Sequence, residues 1–440
     1  MLLSGTVHAG DLVFATSFEV AEVSCIDAVD NDHNGLTDCG DPACAGMNLA
    51  SFGTNDPSPA VFSGRYHTQS FTGSVQTFDY TFHSVGNVLL GAGPVHAAIA
   101  QLGDETAIFA IESTGGYLYR LTHPQTAIAA SRDLRRGICS ADTVDVAPVV
   151  QELGRSGAAF AEGVGHSLVF VATHHGCADT TQNQVIALDA DAISSAPIWT
   201  FNVGEYEADY FTGCTLDYAT DTLFCSSHLA DAAFGNTVWA IDTVTGGLKW
   251  ADNAGSLSAA PVINETPVRQ VITASKTGTF RTYSLAGTPG WTSSAPNRSI
   301  VANIQASLPD PYSGYVLYTT DGMFGGDLGA LYTFSLTEQP VDAWVTTLSN
   351  VVSSPDNAFW SPGNKVYVVL RDGTMHQINA ASGADEATVH VTGTQATGQV
   401  EIQTLEPGWG ERIVVSAQAG NGDGSTHMYC PGFPYGYHDF

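Results

Sequence analysis

Residues 238–250 read VWAIDTVTGGLKW. Val238, Ala240 and Asp242 alternate with Trp239, Ile241 and Thr243, the period of two that belongs to a β-strand. Thr245-Gly246-Gly247 supplies a tight turn, because glycine tolerates positive φ. Leu248 and Trp250 open the next strand. The pattern recurs. YLYRLT (117–122), VIALDA (185–190), TFRTYSL (279–285), ALYTFSL (330–336) and MHQINA (375–380) carry strand cores of the same kind. Trp199, Trp250, Trp291 and Trp344 follow four of these strands.

A second signal precedes them: GPVHAAI at 93, APVVQEL at 147, APVINET at 260 and SSPDNAF at 353. Between the two signals lies another apolar run, such as SLVFVATHH (167–175) or KVYVVLRDG (365–373). Each unit thus reads strand, strand, strand, turn, strand. A four-stranded repeat of roughly fifty residues is the pattern of a propeller blade. One blade cannot bury both of its faces, so neighbours stack into a ring. Unit starts near 93, 146, 209, 258, 301, 352 and 398 give an all-β, seven-bladed β-propeller whose last unit ends near Cys430. That unit shows three clear strands. Its fourth is expected from VQTFDYTFHS (75–84), which alternates correctly and stands outside the first unit.

Ala240-x-Asp242-x-x-Thr245-Gly246-x-x-x-Trp250 resembles the tryptophan docking motif of the quinoprotein-like (PQQ-type repeat) β-propellers. The resemblance implies that each outer-strand tryptophan stacks on the neighbouring blade, a packing device rather than a cofactor box. Alcohol dehydrogenases of that family carry eight blades, an adjacent cysteine pair and Asp, Glu and Asn ligands to calcium beneath the quinone. No two cysteines are adjacent here, so the resemblance covers the repeat and not the quinone site.

Composition agrees with an all-β fold. Gly numbers 46, charged residues are 13%, and Lys249, Lys276 and Lys365 are the lysines. The net charge of −30 repels nucleic acid and anionic membrane surfaces and suits solubility in a salty exterior. MLLSGTVHAG is apolar and ends in a small-x-small cleavage pattern, which reads as the tail of a signal peptide over 1–9. No other stretch approaches the length of a membrane span. The domain reading is therefore a signal-peptide remnant (1–9), an N-terminal segment with a Pro/Gly/Ser/Asn linker (10–60) and the propeller (61–440).

The sharpest chemical signal is CIDAVDNDHNGLTDCGDPAC (25–44). Asp30, Asp32, Asn34 and Asp38 fall at positions 1, 3, 5 and 9, with Gly35 at 6. Alternate residues of a tightly turning loop aim their oxygens at one centre, and glycine permits the turn. Leu36 would add its backbone carbonyl. An EF-hand needs Glu at position 12, where this chain has Asp41. The pattern resembles instead the Cys-bounded DxDxDG-type loops of secreted bacterial proteins, and the expected cofactor is calcium. The alternative is an Asx-rich solvated turn stapled by disulfides.

Eight cysteines in a chain that reads as exported point to disulfides. Cys214 and Cys225 flank TLDYATDTLF symmetrically and should face each other across a hairpin. Cys139 and Cys177 stand one blade apart and could bridge; spacing leaves Cys25, Cys39, Cys44 and Cys430 open. His174 and His175, with Asp179, could hold a transition metal, but a surface loop without a ligand role is the plainer reading.

The functional expectation is a secreted or periplasmic calcium-binding propeller, monomeric, that binds an extracellular protein or glycan as a scaffold or adhesin. Type IV pilus tip adhesins, which also pair such a propeller with a calcium loop, are a related precedent. The rival is an exported oxidoreductase using pyrroloquinoline quinone or a transition metal.

Overall fold

The computed structural model of the chain describes Val29, His33, Cys39, Cys44, residues 48–53 and most of residues 58–430. Every described strand pair is antiparallel. Among the described residues the strands form eight sheets, numbered here in chain order. Sheet I spans 58–89, sheet II 95–133, sheet III 149–202, sheet IV 210–252, sheet V 262–294, sheet VI 299–349 and sheet VII 356–390. Sheet VIII consists of Gln395–Thr404, Glu411–Gln418, Gly424–Tyr429 and, as its outermost strand, Asn48–Gly53. All but sheets VI and VIII are four-stranded meanders whose strands pair in chain order.

The middle strands of these sheets read as continuous apolar runs because both of their faces are covered. Leu168–Val171 and Val185–Leu188 in sheet III are buried residue by residue. The core accordingly lies between sheets. Phe109 and Leu118 of sheet II pack with Val169 and Leu188 of sheet III. Phe170 and Trp199 of sheet III pack with Leu223 and Trp239 of sheet IV. Phe224 and Trp250 of sheet IV pack with Val271 and Tyr283 of sheet V, and Leu331 and Leu348 of sheet VI with Val366 and Ile378 of sheet VII. Tyr367 and Val389 of sheet VII meet Ile413 and Tyr429 of sheet VIII. The ring closes where Ser58–Phe62, the innermost strand of sheet I, lies against Gln395–Thr404, the innermost strand of sheet VIII.

Tryptophans of the outer strands fasten one sheet to the next. The Trp199 indole N–H donates to the Thr243 carbonyl at 2.9 Å, Trp250 to Leu285 at 2.9 Å and Trp344 to Ala380 at 2.9 Å. Each ring covers a glycine in the turn between the third and fourth strands of the following sheet. Gly246 (φ 71°), Gly287 (φ 86°) and Gly383 (φ 71°) are left-handed, and a Cβ on any of them would stand within 2.6 Å of the indole above it. Conformation and space both demand glycine there. Sheet II has Ala130 in register with Arg120 where sheet IV pairs Trp250 with Ala240. It fastens itself differently: Arg132 reaches over to donate to the Ile193 and Ser195 carbonyls of sheet III.

The structure revises the sequence reading in three places. Among the described residues the strands make eight sheets where the sequence reading counted seven units, because residues 58–89 make a sheet of their own. Ser74–Asp79 is the third strand of that sheet, paired on both sides, and does not close the ring. Closure falls to Asn48–Gly53, which pairs with Gly424–Tyr429 and lies within the stretch read as linker. NLASFG, SPAVF and RYHTQ have little alternating hydrophobicity of their own; NLASFG pairs with Gly424–Tyr429, SPAVF with RYHTQ, and RYHTQ with Ser74–Asp79. By contrast, Cys214 and Cys225 stand directly opposite in the ladder, 4.1 Å apart at Cα, and are bonded, as the symmetric flanks require.

Trp250→Ala should cost about 3–5 kcal/mol, the usual range for emptying a core aromatic site. Gly287→Ala should cost at least the roughly 1–2 kcal/mol of a left-handed L-residue. Denaturant titration measures both, and a loss below about 0.5 kcal/mol in either would contradict tryptophan docking as a stabilising contact.

Candidate functional site

In a sheet of consecutive antiparallel strands, the connections between strands one and two and between strands three and four lie on the same rim. On that rim sheet III carries a long insertion, and the turns of sheets IV and V lie beside it. Sheet III joins its first two strands through a 3-10 turn (Leu153–Arg155) and a short helix (Ala158–Gly163). The sequence around it, GRSGAAFAEG, breaks the period of two, the signal by which it could have been found. Phe160 is fully buried and packs with Val164 and Val244, which sits in the strand three to four turn of sheet IV. The insertion of one sheet is thereby seated on the next.

Polar contacts interlock the same loops. Tyr218, in the Asp217–Thr222 hairpin of sheet IV, donates its hydroxyl to the Val150 carbonyl at 3.2 Å and accepts from the Glu152 N–H at 3.1 Å. The Arg155 guanidinium covers its ring at 4.8 Å and pairs with Glu152 at 3.4 Å. Burial raises the Tyr218 pKa, so the hydroxyl stays protonated and able to donate. Gln151 Nε2 donates to Asp221 Oδ1 at 2.8 Å, and Asp221 itself is held at φ 46°, in the left-handed region.

Lys249 joins the two turns of sheet IV. Its ammonium donates to the Thr220 carbonyl at 2.7 Å, the Asp221 carbonyl at 3.1 Å and Thr222 Oγ1 at 2.8 Å, and lies 3.3 Å from Asp242 Oδ2. Asp242 Oδ1 accepts from the Val244 N–H and from both the N–H and the hydroxyl of Thr245. Burial works against ionising Asp242, but the Thr245 hydrogen bonds and the Lys249 charge outweigh it and depress the pKa. At the hairpin's other flank Arg269 of sheet V pairs with Asp217, whose side chain is fully buried. Arg155, Lys249 and Arg269 thus converge on one hairpin of a chain with only 14 basic residues.

Sheet VII repeats the device. Asn379 Oδ1 takes the place of Asp242 Oδ1, accepting from the Ala381 and Ser382 N–H groups. Glu386 accepts from Lys365, from Asn379 at 3.0 Å and from Gln377 at 3.3 Å. Burial would raise the Glu386 pKa; these donors, Lys365 foremost, bring it below the ordinary value.

Asp30, Asp32, Asn34, Leu36 and Asp38 lie outside the described residues, as do His174, His175, Cys25, Cys139 and Cys177. Val29 and His33 are exposed, and His33 has φ 62°. Cys39 is bonded to Cys430, and Cys44 is buried and disulfide-bonded. The acidic segment therefore runs directly into an anchor on sheet VIII, where Cys430 follows Tyr429. Among the described residues, no three or more His, Cys, Asp or Glu gather in a group that could hold a metal. None of their helices is long and apolar enough to cross a membrane.

No family model and no curated protein matches this chain. Solved structures do. Quinohemoprotein alcohol dehydrogenase from Comamonas testosteroni aligns over 89% of this chain and 78% of its own, at 12% identity and a TM-score of 0.66. A europium-containing methanol dehydrogenase aligns over 86% and 85%, at 12% identity and 0.63. BamB from Moraxella catarrhalis aligns over 87% and 97%, at 16% identity and 0.58. The fold is that of the quinoprotein-like β-propellers. At such identities the likeness concerns the fold alone, and the neighbours bear the names of two dehydrogenases and of one protein not named as an enzyme. The adjacent cysteine pair of the quinone enzymes has no counterpart: the Cys214–Cys225 bridge joins neighbouring strands within sheet IV, with Cys225 fully buried. The residues present do not fit that part of a quinone site.

A carboxyl with a depressed pKa stabilises the folded state above its unfolded-state pKa, and that contribution fades as pH falls through the folded value. Glu386→Gln should therefore lower the melting temperature at neutral pH and flatten its decline on acidification. Parallel acid limbs for the two proteins would refute the pairing.

Proposed function

We propose that the chain is an exported, calcium-binding β-propeller that acts as a binding or scaffolding protein, adhesin-like, at the cell exterior. The observation that carries this reading is the interlocked rim of sheets III to V. Its loops are held by Tyr218, Lys249, Asp242 and the Asp217–Arg269 pair, while Arg155 and the helix residues Ala158, Ala159 and Ala161 remain exposed. Loops already ordered lose little entropy on binding, the condition under which a modest surface gains affinity. The net charge of −30 favours partners with basic or neutral surfaces and disfavours nucleic acid. Disulfides within the ring suit an oxidising compartment such as the periplasm or the exterior.

A photo-crosslinking residue at Arg155 or Ala161 should capture a discrete partner on intact cells. The same residue at Thr277, in a strand two to three turn on the opposite rim, should not. Equal labelling from both rims would remove the rim assignment. The rival reading, an oxidoreductase with pyrroloquinoline quinone or a transition metal, predicts new visible absorbance and dye-linked alcohol oxidation after reconstitution with calcium and the quinone, or with the metal alone.

Calcium binding is proposed at Asp30, Asp32, Asn34, Leu36 and Asp38. The support is the ligand spacing together with the disulfide anchors at Cys39 and Cys44 that follow it. Calcium should protect the 25–44 segment from proteolysis, chelator should expose it, and Asp32→Ala should abolish the difference. Identical cleavage with calcium and with chelator would sink the site.

A further inference from the structure

We propose that Lys365 and Asn379 of sheet VII become joined by an intramolecular amide, a self-modification in which Glu386 moves the protons. Lys365, on the second strand of the sheet, stands directly opposite Asn379, on the third, in the antiparallel ladder. Their side chains therefore leave the same face, with Cβ atoms about 4.5–5.5 Å apart, a gap that a lysine stem spans. Glu386, on the fourth strand, connects them. Its Oε2 accepts from the Lys365 ammonium and its Oε1 accepts from Asn379 Nδ2 at 3.0 Å. One carboxyl thus holds the attacking nitrogen on one oxygen and the leaving nitrogen on the other. The amide carbonyl is polarised as well. Asn379 Oδ1 accepts from the Ala381 N–H at 3.0 Å and the Ser382 N–H at 3.1 Å, two backbone donors aimed at the oxygen where negative charge develops when Cγ is attacked.

The surroundings limit water. Lys365 is 9% exposed, Tyr367 and Gln377 on the same face are buried, and Gln377 donates to Glu386 Oε2 at 3.3 Å. Sheet IV shows by contrast what the step needs. There the acceptor of the turn N–H groups is Asp242, and the cation beside it is Lys249. Asp242 stays ionised near neutrality, because its pKa is depressed, and a carboxylate resists attack by an amine. Asn379 puts an uncharged amide in the same place. The reaction needs no cofactor. Lys365 passes one proton to Glu386, whose charge burial opposes, and becomes an amine. The amine attacks Cγ of Asn379. Glu386 protonates Nδ2 and takes a second proton from the attacking nitrogen. The Cγ–Nδ2 bond breaks, the Nζ–Cγ bond remains, and the departing ammonia takes the proton left on Glu386. One lysine ammonium and one side-chain amide give one secondary amide and one ammonium ion, with no change of oxidation state. The bond removes the Lys365 charge, so the ion pair and the acid response derived above for Glu386 belong to the unlinked chain.

Mass spectrometry of the whole, reduced and denatured protein tests the bond. After incubation at neutral pH the wild-type chain should be lighter than its sequence by one ammonia. Trypsin cuts at Arg371, between the two residues, yet the peptides bearing Lys365 and Asn379 should remain joined as one branched species. Lys365→Arg, Asn379→Ala and Glu386→Gln should each return the full sequence mass, whereas Lys249→Arg should keep the deficit. Lys365 and Asn379 recovered in separate peptides at full mass overturn the proposal. So does a deficit without the branched peptide, which would assign the lost ammonia to a succinimide elsewhere. An undiminished branched peptide in the Glu386→Gln protein overturns the role given to Glu386. Should a variant fail to fold, the wild-type peptide map decides alone.

Discussion

Sheet III is apolar on both faces, and its neighbours cover them. Val169 and Val171 face the cluster shared with sheet II, while Leu168, Phe170 and Ala172, one residue out of step along the same strand, face the cluster shared with sheet IV. A strand with that pattern is stable only between two partners, so an open row of sheets would leave two apolar faces in water. Closure into a ring removes both ends at once. The tryptophan-on-glycine contacts are the repeated expression of this demand. A flat indole needs a neighbour without a side chain, and a left-handed glycine in a tight turn supplies one. Where the tryptophan is missing, Arg132 reaches the same kind of target, the free carbonyls of the next sheet's turn.

The few cations are spent on structure. Lys249 and Arg269 hold carbonyls and carboxylates around the Asp217–Thr222 hairpin, Arg132 holds carbonyls in the turn of sheet III, and Lys365 pairs with Glu386 in the last strand of sheet VII. In a chain with 44 acidic and 14 basic residues, a paired cation satisfies hydrogen-bond acceptors and relieves local repulsion together. Such pairs, with Glu386 and Asp242 both depressed in pKa, make the loops rigid near neutrality and progressively looser in acid.

The N-terminal segment is part of this architecture rather than an appendage to it. Its strand Asn48–Gly53 completes sheet VIII, and its cysteine at 39 is bonded to Cys430, the first residue after that sheet. Any event at the acidic stretch preceding Cys39 is thus adjacent, along the chain, to the seam of the ring.

Alternation at 238–250 and its repeats made the strands, the turns, the tryptophan docking and the Cys214–Cys225 register legible, because all are set by residues close in sequence. The order of ligand-like residues between 30 and 38 is equally local, and so could be read as a calcium pattern. What the tertiary structure alone decided is long-range. Residues 58–89 form an eighth sheet, 48–53 rather than 75–84 closes the ring, Cys39 finds Cys430 across 391 residues, and Arg155, Tyr218, Lys249 and Arg269 meet on one rim. A weakly patterned strand carries no record of its partner. Its place is set by which edge remains unpaired once the stronger sheets have packed, and that edge exists only in the folded ring.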